Sequence, residues 1–291
     1  MSREYDLIIV GGSMVGASLA CALADSGLRI ALLDAHRFDA DWPTAGFDLR
    51  VSAITRASEA FLQHLRAWPG DQGERVSPFR EMHVWDATGN GVIHFDSAEL
   101  GEATLGHIVE NRVLVKCLHQ QIAAMDNIAY LAPASASELQ IDDRQVRLQL
   151  DDGSTLVGKL LVGADGSNSW VRRQAGISVR GWDYDQAALV TWVKTAQFHQ
   201  ETAWQRFLPD GPLAFLPLTD GYSSIVWSTT PAHAQQLRDM DEDAFREELA
   251  ASFGYTLGAI ESCGTRAVFP LRFFETEHYV QPRLALVGDA A

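Results

Sequence analysis

The chain has 291 residues, 47% of them hydrophobic and 21% charged, with a formal net charge of −15. That is the composition of a globular protein of one large domain or two ordinary ones. The acidic excess and the lack of any basic stripe argue against nucleic acid as a partner and offer no attraction to an anionic membrane. No apolar run approaches the roughly 18 residues of a transmembrane segment. Arg3, Glu4 and Asp6 precede a short apolar strand, a start that does not read as a signal peptide. Cys21, Cys117 and Cys263 lack C-x-x-C spacing and read as buried thiols of a reducing, cytoplasmic setting.

The first 34 residues read strand, glycine-rich turn, helix, strand, acid. Leu7 to Val10 is a short apolar run suited to a buried parallel strand. GGSMVG follows, carrying Gly11, Gly12, Ser13 and Gly16, and opens a helix expected from about Val15 to Ser26, with Gly27 as its stop. A second apolar strand, Arg29 to Leu33, ends at Asp34. Glycines let a backbone approach a pyrophosphate, and a helix N-terminus offers free N–H groups and a positive dipole end. An acid about 20 residues further on suits a ribose hydroxyl. The pattern is that of a dinucleotide site; a tight turn with no ligand is the bland alternative. Ser13 stands where the middle glycine of G-x-G-x-x-G belongs, and its Cβ narrows the room for phosphate.

FDLRVSAI (47–54) then leads into a helix at Ser58 to Leu65. Its Arg50 reads equally as a surface charge or as a cation reaching cofactor phosphates. Residues 79–96 suggest two strands around Gly89, Asn90 and Gly91. Residues 105–122 carry Leu114, Cys117, Leu118 and Ile122 at helical spacing, with Asn111 and Arg112 at the helix start, where they can bond a phosphate or ribityl chain. His107 and His119 read as solvated or satisfied helix residues, since no third metal ligand accompanies them. Residues 128–163 alternate as strands, with a hairpin at Asp152-Gly153. The last of these strands ends in Asp165-Gly166, where an open α/β sheet binds ligands. Asn168, Ser169 and Arg172 open a short helix that Asp165 would equally well cap.

From 182 to 275 the chain turns to aromatic and β-branched strands with a polar helical insert from Pro231 to Phe253. This predicts a second, largely antiparallel sheet whose aromatics are core or the wall of an apolar cavity. The chain closes on an apolar strand, Leu284 to Val287, then Gly288, Asp289 and two alanines. A domain seldom ends on such a turn, so the sequence reads as truncated. The fold class expected is α/β: a Rossmann-like parallel sheet, discontinuous in sequence, beside a mostly antiparallel second domain. The first unit takes 1–78, 105–181 and 276–291, and the second takes 79–104 and 182–275. No Ser–His–Asp order, metal cluster or catalytic carboxylate pair is evident, so no catalytic side chain is assigned.

In this order, GGSMVG with Asp34, GADG at 163–166 and GDAA at 288–291 resemble the FAD-dependent aromatic-ring hydroxylases, the single-component flavoprotein monooxygenases. LRVSAI, LGHIVEN, GADGSNSWVR, AFLPL and LALVGDAA resemble the ubiquinone-biosynthesis branch, along the whole chain. The resemblance implies hydroxylation of a polyprenyl phenol or quinol with NAD(P)H and O₂, through a flavin hydroperoxide. It places Gly11, Gly12, Ser13 and Gly16 at the FAD pyrophosphate and Asp34 at the adenosine ribose. Arg50, Asn111 and Arg112 would reach the phosphate and ribityl region. Asp165 and Gly166 would touch FAD and the nicotinamide, and Gly288 and Asp289 the ribityl chain. It further implies a flavin-side loop after GDAA, assembly with other ubiquinone-biosynthesis proteins, and a position peripheral to the inner membrane. A hydroxylase of a small soluble phenol, an inactive FAD-binding remnant and a plain NAD dehydrogenase are the competing readings; the last leaves GADG and GDAA without a role.

Overall fold

The computed structural model describes residues 2–42, 46–70 and 75–291. The chain opens with β1 (Ser2–Val10), α1 (Met14–Ala22) and β2 (Ile30–Leu33). There follow β3 (Val51–Thr55), α2 (Arg56–His64), β4 (Val76–Phe79), β5 (Glu81–Asp86), β6 (Val92–Asp96) and β7 (Gly106–Glu110). Helix α3 (Asn111–Ile122) leads to β8 (Ile128–Leu131), β9 (Ala136–Ile141), β10 (Val146–Leu150), β11 (Thr155–Gly163) and the short α4 (Trp170–Gln174). The remainder holds β12 (Val179–Thr195), β13 (Thr202–Leu208), β14 (Gly211–Pro217), β15 (Tyr222–Thr229), α5 (Pro231–Asp239), α6 (Glu242–Ser252), β16 (Ile260–Cys263), β17 (Ala267–Thr276), β18 (Val280–Gln281) and β19 (Leu284–Leu286).

The first sheet runs β18-β19-β11-β1-β2-β8, and its inner strands from β19 to β8 are mutually parallel. Alternation splits its side chains between two cores. Leu7 and Ile9 of β1 and Ile30 and Leu32 of β2 face α1 and α3, meeting Ala17, Ala20, Leu114 and Leu118. Ile8, Ala31 and Leu33 point the other way, onto Leu148 and Leu161 and onto Val171 of α4. Both faces being covered, all four residues of β2 are buried, which is why this strand reads as a continuous apolar run. Helix α1 ends four residues earlier than its periodicity suggests. A 3₁₀ turn, Ala24–Ser26, takes over, and Gly27 at φ 72° stops the chain as expected.

The second sheet runs β16-β12-β15-β14-β13-β5-β6, with β17 along β12, and is antiparallel except where β13 meets β5. One face packs Leu189, Val193, Phe215, Ile225 and Trp227 against Leu237, Phe245, Leu249 and Phe253 of α5 and α6. Both helices start on a cap: Thr230 before Pro231, and Asp241, which accepts from the Asp243 amide at 2.9 Å. The other face meets a three-stranded sheet, β3-β7-β4, through Phe79, Ile108, Ala203 and Leu218. Strand β12 begins at Val179, three residues ahead of the expected start. Its first turns pair with the end of β17, Gly181 opposite Phe274, so a two-stranded ribbon joins the large sheets.

One expectation fails. Residues 106–110 are a strand, not the first turn of the helix, and His107 lies on it rather than on a helix. All five residues are buried between β3 on one edge and β4 on the other, so pairing with distant chain overrides the local helical period. His107 is 6% exposed, with Nδ1 at 3.2 Å from Glu59 Oε2, an ion-pair distance without hydrogen-bond geometry.

Buried His199 makes the fold sensitive to acid. Its Nδ1 accepts from the Glu201 amide at 3.0 Å while Nε2 lies 2.9 Å from the Leu218 carbonyl, a pairing that suits only the neutral ring. Burial holds its pKa below the ordinary value of 6.5. The stabilisation is complete above the unfolded value and is lost as pH falls through the lower folded one, because only the unfolded chain takes up the proton. Thermal melting from about pH 7 to about pH 5 is therefore expected to fall more steeply for the native chain than for His199→Gln.

Candidate functional site

Parallel pairing brings the ends of β1, β2, β11 and β19 to one sheet edge: Val10 stands opposite Leu33 and Gly163, and Gly163 opposite Leu286. The turns that follow therefore meet there. Gly11 lies so close to the β11 turn that a Cβ on it would sit 2.2 Å from the Ala164 carbonyl oxygen. A Cβ on Gly16 would sit 1.9 Å from the Gly11 oxygen. The Gly12 N–H donates to Asp34 Oδ2 at 2.8 Å, and the His36 amide donates to Oδ1 at 2.9 Å. Ser13 is the exposed N-cap of α1, and its hydroxyl makes no capping bond. The first-turn N–H groups of α1 thus lack a side-chain acceptor.

Asp165 Oδ2 accepts from the Trp170 and Val171 amides at 2.7 and 3.0 Å, so this acid does cap α4, beside Ser169, which accepts from Arg172. Its second oxygen is buried without a hydrogen-bond donor among the described residues. Gly166 follows at φ 79° in open space. Gly288, at φ 61°, turns against Val15 of α1, and Asp289 is exposed beside it. Arg172, 9% exposed, ties two of these turns: Nη2 donates to the Ser167 carbonyl at 2.7 Å and Nη1 to that of Ala290 at 2.9 Å. Nine of the twelve residues singled out in the sequence thus gather at one edge.

The other three form a second group at the start of α3. The Asn111 amide donates to the Arg50 carbonyl at 2.9 Å, and Asn111 Oδ1 accepts from the Ser52 hydroxyl at 2.6 Å. The Arg50 side chain is exposed. Arg112 lies over the Trp42 ring, 4.9 Å from its centre, and pairs with Glu110 at 2.6 Å. It helps line a cavity of about 420 Å³ whose other walls include Phe47, Asp48, Trp192 and Thr265. The cavity lies between α3 and the second sheet, since Trp192 belongs to β12. A second cavity, about 600 Å³, shares Trp192 and Thr265 and extends to Arg238 and Glu242. Buried Phe215, Trp227, Phe245 and Phe253 are core, so of the aromatics in the second sheet it is Trp192 that reaches the first cavity.

Sequence reasoning missed two connecting residues. His119 Nε2 lies 2.7 Å from the Gly12 carbonyl oxygen, and its ring stacks on Phe38 and meets Tyr130 edge-on. Being seven residues after Arg112 on α3, it stands two turns, roughly 10 Å, along the helix from the cavity. The other is Glu110, 1% exposed, whose only signal was its place at the end of LGHIVE. No group of three or more metal-ligating side chains exists among the described residues, and no helix there is long and apolar enough to cross a membrane. Cys21, Cys117 and Cys263 are free thiols, and burial pushes that of Cys21 up to about 11.

A family described as an FAD binding domain matches residues 134–291. The chain is 39% identical over 291 residues to the 3-demethoxyubiquinol 3-hydroxylase of Escherichia coli (strain K12), covering 100% of this chain and 74% of that protein. It is 35% identical to the mitochondrial ubiquinone biosynthesis monooxygenase COQ6 of Rattus norvegicus, over 99% of this chain and 70% of that one. The fold is similar to that of p-nitrophenol 4-monooxygenase PnpA from Pseudomonas putida DLL-E4, with a TM-score of 0.78 at 18% identity, over 100% of this chain and 73% of that one. With the parallel sheet, the antiparallel sheet and the strand-end turns in place, the chain belongs to the FAD-dependent monooxygenases, in the group of ubiquinone-biosynthesis hydroxylases.

Proposed function

We propose that the protein hydroxylates the ring of a prenylated quinol-type intermediate of ubiquinone biosynthesis, using FAD with NAD(P)H and O₂ as co-substrates. The observation that carries this reading is the convergence of three strand-end turns on one sheet edge, two helical turns from a cavity walled by the second sheet. FAD, when bound, supplies the oxygen and redox chemistry. The residues present fit it: close glycine packing, an uncapped helix start and a buried acceptor at Asp165 without a donor all lie on this edge.

In this reading Gly11, Gly12, Ser13 and Gly16 hold the pyrophosphate and Asp34 the ribose. Arg50, Asn111 and Arg112 serve the phosphate and ribityl region, Asp165 and Gly166 the FAD and nicotinamide, and Gly288 and Asp289 the ribityl chain. Segments 1–78, 105–181 and 276–291 form the cofactor unit, and 79–104 with 182–275 the substrate unit. The substrate ring lies in the cavity against Trp192, where Asp48 and Thr265 offer acceptors to a ring hydroxyl. Arg112 offers hydrogen-bond donors and no acceptor, so its part is to orient. The FAD-loaded protein, given NADH or NADPH, is expected to put oxygen from O₂ into a prenylated demethoxyubiquinol and to leave free hydroxybenzoate untouched. Turnover of hydroxybenzoate with no product from the prenylated ring would overturn the assignment.

A further inference from the structure

The cavity wall is held by a residue that does not line it. We propose that Glu110 is a positioning residue, fixing the Arg112 guanidinium at the cavity and the backbone opposite. Glu110 Oε2 accepts from the Asp48 amide and forms an ion pair with Arg112 Nη2, each at 2.6 Å. Oε1 accepts from Arg75 Nη1 at 2.9 Å, and that same Nη1 reaches the Gly46 carbonyl at 2.5 Å. Gly46, Asp48 and Arg112 all line the cavity. One buried carboxylate thus sets three points on its wall, two from the 46–49 segment and one from α3.

Two features set this arrangement apart from an ordinary structural ion pair. Glu110 is the N-cap of α3 yet makes no capping hydrogen bond, so its carboxylate is directed at the arginines and not at the helix amides it precedes. Arg112 lies in the first turn of α3, where the helix dipole disfavours a cation. Glu110 offsets that repulsion at the one place where the guanidinium meets the cavity. Two arginines meet the single buried carboxylate, and Arg112 Nε also stands 4.0 Å from Asp48 Oδ2 at the cavity wall. A buried pair of this kind adds little to stability compared with apolar packing and is better explained by the geometry it enforces.

The inference rests on the reading that Arg112 faces the FAD phosphate and ribityl region, and a double-mutant cycle separates the two. FAD affinity is read by quenching of flavin fluorescence for the native chain, Glu110→Gln, Arg112→Met and the double variant, at a temperature below the melting point of each. Loss of one charge-assisted contact predicts about tenfold weaker binding for Glu110→Gln. Arg112→Met should weaken binding at least as much, and the double variant should bind no more weakly than Arg112→Met alone, because Glu110 acts through Arg112. If Arg112→Met weakens binding and Glu110→Gln then adds its full effect, this inference falls and the Arg112 assignment stands. An Arg112→Met variant with unchanged affinity overturns both. Should Glu110→Gln not fold, Glu110→Asp, one methylene shorter, draws the guanidinium back and carries the same expectation.

Discussion

Gly11→Ala is expected to lower the stability of the protein by about 3 kcal/mol or more and to abolish flavin binding. Gly11 sits at φ 108°, a conformation an L side chain rarely adopts, and its new Cβ would lie 2.2 Å from the Ala164 oxygen and 2.9 Å from the Asp165 nitrogen. Those atoms are backbone and cannot rotate away, so either β1 or the turn after β11 must move. Both turns belong to the edge proposed to hold the cofactor, and the Gly12 N–H that donates to Asp34 would move with them. Gly27→Ala is the fitting control. Gly27 also has a positive φ, 72°, but nothing lies within 4 Å of the added atom, so about 1 kcal/mol is expected from conformation alone. Urea midpoints and flavin content of the two variants check this. Equal midpoints, or a flavin-replete Gly11→Ala protein, would show that the two turns are not locked together.

The parts legible in the sequence are those whose constraints are local. A strand, a glycine turn, a helix and a second strand have fixed dimensions, so Asp34 had to fall beside Gly12, and it does. Asp165 and Gly288 were legible because each follows an apolar run that the parallel sheet buries. What the sequence hid depends on distant chain. Glu110 becomes a buried anchor only through Arg75, 35 residues away, and the Asp48 amide, 62 away. His119 meets Gly12 across 107 residues. Residues 106–110 become a strand only because β3 and β4 bracket them, a pairing no local periodicity announces. The two readings of Asp165 turned out not to compete, since one carboxylate oxygen caps α4 and the other is left over.

Asp34→Ala carries the second large effect. Asp34 Oδ2 holds the Gly12 N–H at 2.8 Å and Oδ1 the His36 amide at 2.9 Å, so the carboxylate is fixed at the end of β2 before any ligand arrives. A preset carboxylate bonding a ribose hydroxyl contributes through charge-assisted hydrogen bonds, and its removal is expected to weaken FAD binding by roughly 10- to 100-fold. Stability should change far less than for Gly11→Ala, because Asp34 is only partly buried and Gly12 keeps its backbone path. The most direct test of the account is a flavin titration of the native chain beside Asp34→Ala. The proposed site at this edge requires binding to the native chain and a loss of at least tenfold in the variant. Equal affinities, or no flavin bound by either protein, would contradict it.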